Sequence, residues 1–146
     1  MLLPEGLRAV SLTFLLFFLG LSIIVALSLM KGGRDERMAA AALVAAAVVS
    51  PLLQSHHYAA PEAGILIVDA GLFFALLFIA LRSPAFWPIW AAGFQLCGLA
   101  VHLAAATVPG MLPATYATTL AIWTFPVLAA VGAGTLLETG EHHGRR

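Results

Sequence analysis

Five stretches of mostly apolar residues constrain this chain more than anything else in it. A hydrocarbon core about 30 Å thick needs roughly 20 apolar residues in helical form. Residues 7–30, 38–54, 63–81, 85–108 and 114–137 each meet or approach that length. The connections between them are too short to hold a soluble domain. The fold expected is therefore all-α, a polytopic transmembrane helical bundle of five spans over residues 1–146. The stretch 38–54 is short, alanine-rich and carries Pro51 in its last turn. It leaves open an alternative with four spans and a re-entrant segment.

Composition agrees. Hydrophobic residues make up 62% and charged residues 10%, where soluble domains carry about 25% charged residues. Mean hydropathy is +1.00. These values exclude an ordinary soluble enzyme, a disordered tail and a nucleic-acid binder working through a basic patch. Seven basic residues balance seven acidic ones, so net charge points to no partner. Cys97 is the single cysteine, and no intrachain disulfide is possible.

The basic residues set an orientation. With five spans, Lys31, Arg34, Arg37, Arg82, Arg145 and Arg146 share one side, and only Arg8 lies on the other. That asymmetry predicts an N-terminus outside and a C-terminus in the cytoplasm. The segment Met1-Leu2-Leu3-Pro4-Glu5-Gly6 lacks the basic n-region of a cleaved signal peptide. Between the spans, the run 31–37 reads as a charged loop. Ser83 reads as the cap of the fourth helix, with Pro84 in its first turn. Phe86, Trp87 and Trp90 read as an aromatic belt at the cytoplasmic headgroups. The first helix is apolar around its circumference. Small residues four apart at Gly71/Ala75, Gly93/Cys97 and Ala130/Gly134 read as helix contacts.

Polar groups inside membrane spans are costly without partners, so they mark where chemistry or specific packing occurs. At 1.5 Å per residue, Asp69 sits roughly 9–12 Å inside the outer start of the third helix. His102 sits roughly 9 Å below the outer end of the fourth. The two should share a layer and pair. Trp123 and Thr119 fall at similar depth, with Ser50 and Gln54 approaching from the second helix and Ser11 and Thr13 from the first. The spacing Ala91, Gln95, Gly98, His102 forms one helical face of small or polar residues, expected to point into the bundle with Gln95 deeper. His56, His57 and Glu62 stand above this layer in the outer loop.

No nucleophile elbow, phosphate loop, HExxH or CxxC motif is present, so no enzyme is expected. A haem bundle needs facing histidines, and only His102 lies within a span. A metal would need His56, His57, His102 and Asp69 together, without HxxxH-type spacing. No cofactor or metal is assigned.

The stretches Arg82-Ser83-Pro84-Ala85-Phe86-Trp87-Pro88-Ile89-Trp90 and Gly64-Ile65-Leu66-Ile67-Val68-Asp69 resemble small polytopic inner-membrane proteins of alphaproteobacterial type. The resemblance covers the middle third of the chain. It implies a bacterial inner membrane and brings no activity with it. Two functions remain in view. One is a non-enzymatic subunit or scaffold associating with itself or a larger inner-membrane complex. The other is a small transporter or ligand- or ion-binding protein with a periplasm-facing polar pocket around Asp69 and His102. In either case the partners are the lipid bilayer and other membrane subunits, not nucleic acid.

Overall fold

The computed structural model describes residues 5–53, 63–107 and 113–143, with side chains over 12–53, 63–107, 116 and 119–137. The described backbone forms α1 (Glu5–Met30), α2 (Arg34–Leu53), α3 (Ala63–Arg82), α4 (Trp87–Thr107) and α5 (Pro113–His143). Every helix contains a stretch long and apolar enough to cross a membrane. The chain is a multi-pass helical bundle, as its apolar stretches anticipate.

α3 starts where the sequence reading places it, α1 and α5 start one or two residues earlier, and the starts of α2 and α4 change the reading of their flanking segments. α2 begins at Arg34, not Met38, so most of the charged run 31–37 is helical. The reversal needs only Lys31, Gly32 and Gly33. The amides of Lys31 and Gly32 donate to the Leu27 and Ser28 carbonyls, and that of Arg37 donates to the Gly33 carbonyl. Glycine suits this corner because a Cβ on Gly32 would lie 2.6 Å from the Ser28 carbonyl oxygen. Asp35 and Glu36 fall in the first turn of α2, where the helix dipole favours negative charge. The earlier start gives α2 20 residues, about 30 Å at 1.5 Å per residue. That is long enough to span.

α4 begins at Trp87, later than residue 85. Pro88 occupies its second position, where no amide proton is needed. Ser83 does not cap this helix. Its Oγ accepts the Ala85 amide at 3.2 Å, closing the short turn that follows α3.

The helices pack in a closed ring. α1 touches α2, α2 touches α3, α3 touches α4, α4 touches α5, and α5 returns to α1; α2 also reaches α5 across the middle. Leu21, Ile24, Leu43, Leu76, Trp87 and Val131 are among the buried core. Along the α1–α5 seam, Gly132 lets Ile24 approach so closely that a Cβ there would meet its Cδ1 at 2.6 Å. Of the three small-residue pairs, only Ala130/Gly134 lies at a tight helix contact. Gly71 and Gly93 are exposed, with nothing within 4 Å of a built Cβ. Small size alone therefore did not locate the helix contacts. The outer surface is apolar, with Phe14, Leu15 and Leu19 of α1 exposed.

Candidate functional site

Two polar clusters stand at opposite ends of the bundle. The first joins three helices. His102 of α4 is 1% exposed, and its Nε2 lies 2.7 Å from Asp69 Oδ2 of α3. Its Nδ1 lies 2.5 Å from the Tyr116 hydroxyl of α5. The rings of His102 and Tyr116 meet edge to face, with centroids 5.5 Å apart. Gln95, one helical face below His102, donates from Nε2 to the Asp69 backbone carbonyl at 3.3 Å. All four residues of the stripe Ala91, Gln95, Gly98 and His102 are buried.

Chemistry orders the donors in this chain. An ionised carboxylate only accepts hydrogen bonds, whereas a neutral imidazole donates from one nitrogen and accepts at the other. With Asp69 ionised, His102 Nε2–H donates to it and the Tyr116 hydroxyl donates to Nδ1. The Asp69 side chain keeps 22% exposure, so this end of the chain reaches the surface of the bundle while His102 does not.

The remaining members of the expected layer behave differently. Trp123 is half-buried, and its Cβ lies 4.0 Å from the Cβ position of Gly98. It packs across the glycine notch of α4, and its indole N–H makes no hydrogen bond among the described residues. Thr119 is half-buried on the same helix. Ser50 is half-buried on α2, and Thr13 half-buried on α1. His56, His57, Glu62 and Gln54, and the Ser11 side chain, lie outside the described residues. Tyr116 was missed by sequence reasoning. Its signal was a phenol one turn into α5, at the depth of His102 on an antiparallel neighbour.

The second cluster lies at the end carrying Lys31, Arg34, Arg37 and Arg82. Glu36 is 1% exposed and Trp87 is 6% exposed. The Trp87 indole N–H donates to Glu36 Oε1 at 3.1 Å. Glu36 Oε2 is buried with no hydrogen-bond partner among the described residues. Behind the indole, a Cβ on Gly134 would lie 2.3 Å from Trp87 Cγ. Nearby, the hydroxyls of Ser28 and Thr135 approach to 3.4 Å. Thr135 donates to the Val131 carbonyl, so Ser28 is the donor of that pair.

This arrangement corrects the belt reading for Trp87, which faces the interior because Glu36 and the Gly134 notch receive it. Phe86 and Trp90 do face outward, stacked edge to face at 5.8 Å. Among the described residues, no group of three or more His, Cys, Asp or Glu side chains is placed to hold a metal ion. No protein-family model, no curated protein and no solved structure matches the chain.

Proposed function

We propose that this is a non-enzymatic multi-pass membrane protein that takes up and releases a proton at the Asp69–His102–Tyr116 chain. One observation carries the reading: both ring nitrogens of a buried histidine face groups that suit either of its charge states. With neutral His102, Tyr116 donates to Nδ1. With a proton added, Nδ1 donates to the Tyr116 oxygen, because a phenol hydroxyl can accept as well as donate. Asp69 remains the acceptor for Nε2 in both states. A proton can thus come and go without moving heavy atoms, and partly exposed Asp69 gives it a way in. The basic residues support a cytoplasmic placement for their end of the bundle, which puts Asp69 near the outer leaflet. The resemblance to alphaproteobacterial proteins supports an inner membrane.

Difference titration of the purified protein against His102→Gln in detergent tests this. Proton handling gives an extra proton uptake by wild type that His102→Gln lacks. A purely structural clamp gives superimposable curves.

A second reading is favoured by a separate observation. Phe14, Leu15, Phe18 and Leu19 form an exposed apolar surface on α1, suited to lipid or to another membrane subunit. Gentle purification from native membrane decides it, and isolation as a lone monomer removes the subunit reading.

A further inference from the structure

We infer that the corner between α1 and α2 binds the headgroup of an anionic glycerophospholipid. A shallow groove there is lined by Gly32, Gly33, Arg34, Arg37, Met38 and Ala41. Its lining carries two guanidinium groups and no acid. Asp35 lies outside it, and Glu36 is turned inward to Trp87. Neither arginine forms an ion pair among the described residues.

Arg37 is already held in place. Its Nε donates to the Ser28 carbonyl at 3.4 Å and its Nη2 to the Leu29 carbonyl at 3.2 Å. These acceptors are backbone carbonyls, so among the described residues no ion pair occupies the guanidinium. A guanidinium has five N–H donors, so others remain for a phosphate oxygen. Such a fixed, forked donor matches phosphate geometry better than a mobile ammonium. Arg34 is exposed beside it.

The groove also changes character along its length. It runs from the two arginines and the glycine corner to Met38 and Ala41 farther along α2. Leu29 and Met30 flank it as exposed apolar side chains at the end of α1. Charge at one end and apolar surface at the other fit a phosphate with acyl chains attached. A free phosphate would use only the first part. Basic pockets between membrane helices recognise anionic headgroups on this physical basis.

The test reconstitutes the full chain in detergent and measures its thermal stability and retained lipid by native mass spectrometry. The probes are dioleoylphosphatidylglycerol, dioleoylphosphatidylcholine and inorganic phosphate. The expected result is a preference of about fivefold or more for phosphatidylglycerol over phosphatidylcholine, with no stabilisation by phosphate alone. Arg34→Gln, which breaks no side-chain hydrogen bond or ion pair among the described residues, should reduce that preference severalfold. Arg82→Gln, whose guanidinium sits over the Phe78 ring at 4.1 Å, should leave it unchanged. Equal retention of the two lipids, or a preference undiminished in Arg34→Gln, overturns the proposal. Stabilisation by inorganic phosphate equal to that by phosphatidylglycerol overturns the lipid assignment in favour of a simple anion site.

Discussion

The indole of Trp87 lies flat against the backbone of α5 at Gly134, close enough that any Cβ there would overlap the ring. That contact fixes where the Trp87 N–H points, and it points at Glu36. A glycine on one helix thus positions a tryptophan on a second to satisfy a carboxylate on a third.

Gly134→Ala should therefore be clearly destabilising. The ring cannot retreat without giving up the Glu36 hydrogen bond, and overpacking of this kind costs about 1–3 kcal/mol. Thermal unfolding in detergent reads the loss. Gly93→Ala, with nothing near its added Cβ, should be neutral or slightly stabilising, since alanine favours helix.

Trp87→Phe keeps most of the packing but removes the one hydrogen bond that the Glu36 carboxyl makes among the described residues. A buried acceptor left without a partner costs about 1–3 kcal/mol, more when it is charged. Glu36→Gln keeps an acceptor for the indole and removes the charge, so it should be tolerated much better. If Trp87→Phe and Glu36→Gln unfold at the same temperature as wild type, the pair contributes nothing.

The first cluster lay partly within reach of the sequence. Helical rise and alternating helix direction place Asp69 and His102 at one depth, and the 2.7 Å contact joins them. The small-polar stripe on α4 likewise orients Gln95 and His102 inward. Tyr116 escaped notice because it follows closely on Pro109-Gly110-Met111-Leu112-Pro113, a run of helix breakers beside which aromatic residues are expected at the interface rather than inside. The second cluster was obscured for a related reason. A run of five charges between residues 31 and 37 reads as solvated, and only the earlier start of α2 turns one of those residues inward. Trp87 looked like its outward neighbours because one residue along a helix rotates a side chain by about 100°, and no pattern in the sequence specifies which of Phe86, Trp87 and Trp90 is turned in.

At Asp69, the amide and the aliphatic replacements should separate. Asp69→Leu leaves the His102 Nε2–H buried without an acceptor, at a cost of about 3 kcal/mol. Asp69→Asn retains a carbonyl for that N–H and should lose less than about 1 kcal/mol. Tyr116→Phe removes the donor to Nδ1 and should cost about 0.6–1.7 kcal/mol, the range of interhelical hydrogen bonds in membranes. Chemical or thermal unfolding of the three variants checks the order. Equal losses would show that His102 does not depend on either neighbour.

The ring nitrogens of His102 report most directly on the central claim. Solid-state 15N spectra of histidine-labelled protein in lipid bilayers, assigned by difference against His102→Gln, distinguish protonated from bare nitrogens. Across an acid-to-base titration, Nε2 should remain protonated throughout while Nδ1 loses its proton. Tyr116→Phe should alter the Nδ1 signal and Asp69→Asn the Nε2 signal. A spectrum that does not change with pH, or one with Nδ1 protonated and Nε2 bare at the higher pH, would contradict the proton-handling chain.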